Sequence, residues 1–123
     1  MANELTINAS MAYEDSEGTI DAGFSVVDLL VTVATKRYVK FKMNVAITEE
    51  AIPLGDVGTL GYAMFINRDA TNFIELRVGT GGTKFCKLKA GEVALFRIGS
   101  GITAPYAIAD TGTCQMDVII FTT

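Results

Sequence analysis

The sequence predicts an all-β fold: a two-sheet antiparallel β-sandwich of jelly-roll or Greek-key type, with eight to nine short strands. Three observations lead there. Apolar and polar residues alternate with a period of two through most of the chain, the separators are rich in Gly, Asn, Asp and Pro, and no segment holds a 3.6-residue apolar repeat over the roughly 11 residues that a helix needs. Amphipathic strands in this number bury their apolar sides most readily as two sheets packed face to face.

The first strand is read from Leu5, Ile7, Ala9, Met11 and Tyr13 alternating with Thr6, Asn8, Ser10, Ala12 and Glu14. The stretch from Glu14 to Gly23 carries Glu14, Asp15, Glu17 and Asp21 with two glycines and reads as a polar loop. A second strand runs from Phe24 to Ala34, with Val27, Leu29, Val31 and Val33 on one face and Asp28 and Thr32 on the other. After Lys36 and Arg37, a third places Val39, Phe41, Met43, Val45 and Ile47 opposite Lys40, Lys42, Asn44 and Thr48. Thr48 to Gly55 is expected to be a loop, because Pro53 and Gly55 would stop a helical turn almost at once. Leu60 to Ile66, Phe73 to Val78, Lys84 to Leu88 and Val93 to Ile98 follow as short strands. Their separators are Asn67 to Asn72, Gly79-Thr80-Gly81-Gly82 and Lys89-Ala90-Gly91-Glu92, all with turn chemistry. Gly99-Ser100-Gly101 and Pro105 precede a brief strand at Tyr106 to Ala109. Thr113 to Thr123 is the last, apolar on both faces at Val118, Ile119, Ile120 and Phe121, and is therefore expected to be central or covered by a partner.

At 123 residues, half of them apolar, the chain is expected to be one domain over residues 1–123, with residues 1–8 as a candidate N-terminal arm that pairs with a neighbour's sheet edge. The stretch Leu29 to Ala34, broken by Thr32 and bounded by Asp28 and Lys36, is far below the roughly 20 residues of a membrane span, so no membrane contact is expected. The first residues lack the charged and apolar blocks of a secretory signal, which leads to the expectation of synthesis and folding in a cytoplasm. A net charge of -4 opposes nucleic-acid binding, which draws on an excess of Lys and Arg. Cys86 and Cys114 sit in apolar runs at a spacing that fits no metal or redox motif, and are expected to be buried thiols.

Nothing in the sequence assembles an active site, and no catalytic, cofactor-binding or metal-ligating residue is assigned. The chain has no histidine, the side chain best suited to proton transfer near neutrality. Glu14 with Glu17, or Glu49 with Glu50, offer paired carboxylates but are expected to be solvated loop charges. The loop from Glu14 to Asp21 has oxygen ligands without the spacing or closing glutamate of an EF-hand. Gly79 to Gly82 and Gly99 to Gly101 lead into no helix that would face a phosphate and are read as hairpin turns. Lys84, Lys87 and Lys89 beside Phe85, and Lys40 with Lys42, read as strand-face lysines that guard sheet edges. Asn8-Ala9-Ser10 fits a glycosylation pattern without the secretory context that would use it.

The run from Leu54 to Leu76, with Gly55-Asp56-Val57-Gly58-Thr59-Leu60-Gly61-Tyr62 at its start and Asn67-Arg68-Asp69-Ala70-Thr71-Asn72 near its end, resembles a pattern found in small virion proteins of tailed bacteriophages. Leu88 to Arg97 and Tyr106 to Thr111 resemble its next two blocks, so the likeness covers about the C-terminal 70 residues. In physical terms Asn67, Asp69 and Asn72 suit a tight connection, and Lys89-Ala90-Gly91-Glu92 suits a hairpin with Gly91 at positive φ, while Arg68 stands where an apolar residue is expected. The resemblance implies a non-enzymatic structural protein of the virion. The foremost expectation is a capsid decoration or cement protein, made in the bacterial host cytoplasm, that binds the major capsid protein or other virion proteins as a homo-oligomer, with a trimer favoured. A tail or neck accessory protein is the alternative within the same class. A carbohydrate-binding sandwich using Tyr13, Tyr38, Tyr62 or Tyr106 as a stacking platform is the alternative outside it.

Overall fold

A computed structural model describes residues 4–14, 16–18, 21–33, 35–99, 101–102 and 104–123, with the backbone alone at 21 and 22. It is all-β, with antiparallel strand pairing throughout and no helix among the described residues. The chain divides into two compact units, Met1–Ala34 and Thr35–Thr123, where the sequence led us to expect one domain over 1–123.

The first unit is a two-stranded hairpin of β1 (Glu4–Glu14) and β2 (Asp21–Thr32). The polar connection is shorter than expected, because both strands run into the acidic stretch; positions 15, 19 and 20 lie outside the described residues. Of the candidate arm over residues 1–8, positions 1–3 also lie outside, and Glu4 to Ile7 pair within the chain, opposite Thr32 to Leu29. The register is regular except at one point. Ile7 faces Leu29 and Ala9 faces Val26, so two residues of β1 span the distance that three of β2 cover. The extra residue makes a β-bulge. Asp28 takes the left-handed conformation at φ 55°, and its N–H donates a 2.8 Å hydrogen bond to Asn8 Oδ1 on the facing strand. Asp is one of the few non-glycine residues that tolerate this conformation. The bulge corrects the expected facing of β2: Val27 leaves the alternation of Leu29 and Val31, while Val26 and Phe24 join it.

The second unit holds two four-stranded sheets. One has the order β3 (Tyr38–Val45), β10 (Cys114–Thr122), β5 (Leu60–Asn67), β8 (Val93–Arg97), and the other the order β4 (Glu50–Ala51), β9 (Tyr106–Ala109), β6 (Ile74–Arg77), β7 (Lys84–Leu88). With the hairpin this makes ten strands among the described residues, one more than the upper expectation. The addition is β4, two residues inside the segment expected to be a loop, which pair with Ala107 and Tyr106. β3 ends at Val45, two residues before the predicted Ile47, because the Ala46 N–H is taken by Glu50 Oε1 at 3.0 Å and leaves the ladder.

Both sheets contribute to one core. Phe65, Met116, Val118 and Ile120 come from the first sheet and Ile74, Leu76, Leu88 and Ala107 from the second, all nearly inaccessible. β10 lies between β3 and β5, the central place its two apolar faces predicted.

Two separators do more than expected. Lys89 to Glu92 closes a tight turn, with Glu92 N–H donating to the Lys89 carbonyl at 3.0 Å and Gly91 at φ 79°, as a type II turn requires of its third residue. The strands it joins, β7 and β8, pair in different sheets, so it is a corner and not a hairpin. Gly99 to Gly101 likewise lies between β8 and β9, which belong to different sheets, although it too was read as a hairpin turn. Gly79 to Gly82 does close the β6–β7 hairpin, through Gly82 N–H to the Gly79 carbonyl and Val78 N–H to the Thr83 carbonyl.

Candidate interaction surfaces

Directly opposed residues of an antiparallel pair share a face. In the hairpin, Leu5, Ile7, Ala9 and Met11 are opposed by Val31, Leu29, Val26 and Phe24, and Tyr13 continues the same row. The other face carries Glu4, Thr6, Asn8, Ser10 and Glu14 with Ser25, Asp28 and Thr32, and Leu30, Ala12 and Val27 interrupt its polar character. The bulge makes this separation: with unbroken alternation, Phe24 and Val26 would point to the polar side. On the apolar face Ile7 is buried, whereas toward the turn Met11 is 79% and Phe24 91% exposed. Tyr13, Val26 and Leu29 are exposed as well. Soluble proteins rarely leave such a continuous apolar strip in water.

Charge is divided just as sharply. Residues 1–34 contain Glu4, Glu14, Asp15, Glu17, Asp21 and Asp28 and no Lys or Arg. Of the chain's 14 acidic residues, the remaining eight face all ten Lys and Arg in residues 35–123, so the first unit carries a charge of -6 and the second +2. The overall charge of -4 hides this split, and a segment-by-segment count of the sequence would have disclosed it.

A second apolar surface lies on the sheet β3-β10-β5-β8, on the side turned away from the core. Ladder rows place Lys40, Ile119, Met64 and Leu95 side by side, and Lys42, Asp117, Ile66 and Val93 in the next row. Tyr38 stacks on Phe121 at 5.5 Å between ring centroids, and the Arg97 guanidinium lies 4.7 Å over the Tyr62 ring. The middle of this face is apolar and half-buried, with Lys40 and Lys42 along one edge strand and Arg97 on the other. A groove of about 410 Å3 crosses it, floored by Met64, Ile66, Val118 and Ile119 and bordered by Lys40, Lys42 and Arg68. Arg68 Nε binds Asp117 Oδ2 at 2.8 Å, so the arginine that replaced an expected apolar residue is paired across the sheet. The second oxygen, Asp117 Oδ1, is buried and finds no donor among the described residues.

The other residues singled out in the sequence have local structural work. Glu49 is held by Arg77 Nη1 at 2.7 Å and by the Gly81 N–H at 2.7 Å, which keep its carboxyl below the ordinary range. Glu50 accepts from the Ala46 N–H, so the two neighbouring carboxylates serve separate backbone and ion-pair contacts. Glu14 lies at the end of β1 and Glu17 in the turn, but the candidate calcium loop they share lies partly outside the described residues. Among the described residues no three Cys, Asp or Glu side chains converge as a metal site. Lys84 pairs with Glu75 Oε1 at 3.3 Å, and the Lys87 ammonium lies 4.0 Å over the Phe73 ring. Phe85 packs edge-on to Phe96 and not with the lysines. Cys114 is buried and Cys86 half-buried, both are free thiols, and burial raises the pKa of each. In the second unit Tyr38 and Tyr62 lie on the outer face of one sheet and Tyr106 belongs to the other; Tyr13 lies in the hairpin.

No protein-family model, no curated protein and no solved structure matches the chain.

Proposed function

We propose that the chain is a non-enzymatic structural protein of a tailed-phage virion, a capsid decoration or cement protein that docks as a symmetric oligomer, and that β3 to β10 form a jelly-roll sandwich. The observation that carries the docking role is the apolar hairpin face. Its open residues Met11, Tyr13, Phe24, Val26 and Leu29 gain nothing in a lone chain in water, and each large apolar side chain contributes about 1.5 to 3 kcal/mol once covered. A surface of this kind favours contact with protein over chemistry on a small molecule.

The placement in a phage particle rests on the likeness of Leu54 to Leu76, Leu88 to Arg97 and Tyr106 to Thr111 to virion proteins. The jelly-roll reading is supported by strand order. β3, β5, β8 and β10 fall in one sheet and β4, β6, β7 and β9 in the other, in the orders 3-10-5-8 and 4-9-6-7, as when a long antiparallel hairpin is rolled on itself. Many weak copies on a repetitive shell hold firmly even where a single contact is modest.

Antibodies raised against the full chain test the assignment on particles released from cells that carry its gene. Labelled heads are the expected result; labelled tails move the protein to the tail or neck; particles without label overturn the virion role.

A further inference from the structure

We propose that the hairpin of one copy lies with its apolar face on the outer face of the β3-β10-β5-β8 sheet of a neighbouring copy, each chain giving one hairpin and receiving one. The inference rests on the reading of the chain as a self-assembling structural protein and names the partner of its open surface.

Three observations select a second copy as the occupant. The first is charge. The giving element carries -6 with no cation, and the receiving unit carries +2, with Lys40, Lys42 and Arg97 on the two edge strands of the receiving face. Opposite charges at a rim steer the encounter and fix orientation, and like charges disfavour hairpin against hairpin.

The second is shape and area. A ribbon of 11 to 12 residues per strand is roughly 36 Å long and about 10 Å wide across two strands. The receiving sheet, with four strands and a nine-residue β10, is roughly 30 Å long and about 19 Å wide. The ribbon fits on it. With Ile7 already buried in its own chain, the open part of the ribbon is about half its length, so one such contact covers roughly 200 Å2, well short of the roughly 800 Å2 per partner of a stable interface. Giving and receiving together bring each chain to roughly 400 Å2, which favours a reciprocal pair or closed ring over a one-sided contact.

The third is the receiving surface itself. Ile119, Met64, Ile66 and Leu95 make an apolar floor of the kind that packs against another sheet face. The hairpin has the converse need, since two strands alone are marginally stable in water until a face is covered.

The test uses the full chain. Equal amounts of ordinary and nitrogen-15-labelled protein are mixed, treated with a zero-length carbodiimide and analysed by mass spectrometry, while light scattering gives native mass over a wide concentration range. Expected are cross-links from Lys40 or Lys42 to Glu14 or Glu17, at the turn end of the hairpin, between differently labelled chains, in a closed oligomer. The exposed double variant Lys40→Glu/Lys42→Glu is expected to weaken association about tenfold or more, and adding Glu14→Lys/Glu17→Lys to restore it. Cross-links confined to one label, cross-links between chains that involve only residues 35–123, a monomer at all concentrations, or charge reversal without effect each overturn the exchange. The virion role is judged separately by antibody labelling: labelled particles with a monomeric protein sink the exchange alone, and an oligomer rescued by the charge swap with unlabelled particles sinks the virion role alone.

Discussion

The side-chain amide of Asn67 donates a 3.0 Å hydrogen bond to the main-chain carbonyl of Leu88, tying β5 of one sheet to β7 of the other. The same nitrogen donates to the Asn72 carbonyl at 2.9 Å, the side-chain oxygen accepts from the Asp69 N–H at 2.9 Å, and the residue is wholly buried. Every polar atom of the side chain is therefore used where no water reaches.

Replacing Asn67 with Leu keeps the branched shape, with somewhat larger tips, and removes all three bonds, leaving the Leu88 and Asn72 carbonyls short of a donor. A loss of about 2 to 4 kcal/mol is expected, read as a lower urea midpoint at unchanged slope. A change below 0.5 kcal/mol would show that the bonds are replaced by others.

Inserting one residue after Asn8 lets β1 match β2 without a bulge. Ala9 with Val26 and Met11 with Phe24 then turn to the face opposite Ile7 and Leu29, because a one-residue slip exchanges the two faces, whereas deleting Asp28 also removes the bulge but leaves the facing unchanged. Among the described residues the core of the second unit draws on none before Val39, so its unfolding should be unaffected by the insertion while any self-association is lost. An oligomer of unchanged mass would refute the part given to the bulge.

Acid stability follows from Glu49 and Asp69. The Gly81 N–H and then Arg77 lower the Glu49 pKa from 4.5, and the Asn72 and Thr71 N–H groups lower that of Asp69 from 3.8. A carboxyl with a lowered native pKa stabilises the fold in full above its unfolded value and loses that contribution as pH falls through the native one. Stability should therefore fall below about pH 4.5, and Glu49→Gln with Asp69→Asn should lower the neutral-pH plateau and flatten the acid limb. A limb of unchanged slope in the double variant would assign acid sensitivity to other groups.

Thiol chemistry should be slow. Burial raises both thiol pKa values, aided by Glu92 at Cys86 and by Asp69 and Asp110 at Cys114. An aromatic disulfide reagent at pH 8 should modify Cys86 slowly and leave Cys114 untouched until the chain unfolds. Fast reaction at both would contradict the packing around β7 and β10.

How much of this was legible in the sequence depends on the range of the forces involved. Alternation places a strand wherever one face is wet and the other dry, and so Leu5 to Tyr13, Leu60 to Ile66 and the C-terminal strand could be read directly. The bulge could not, because Asp28 in a left-handed conformation is fixed by Asn8, 20 residues away in the chain. Nor could the assignment of strands to sheets, since Gly91 permits the same tight turn whether the flanking strands pair or part. β4 is too short to have a period. The charge split needed only a count by segment, but its meaning depends on the hairpin being a unit apart.

The central place of β10 has a consequence for how the molecule is made. It is the last strand in chain order, yet it lies between β3 and β5, and its partner Val45 is nearly 70 residues upstream of Cys114. On the ribosome the hairpin is complete once its second strand leaves the exit tunnel, whereas β3 and β5 wait with their facing edges unpaired until residues 114–122 follow. Strand pairing over such long loops is slow, and the nascent chain passes through a stage in which both the hairpin's apolar face and these open edges are presented together. During that interval the six acidic residues of the first segment, uncompensated by any cation, are a source of mutual repulsion among chains on one polysome.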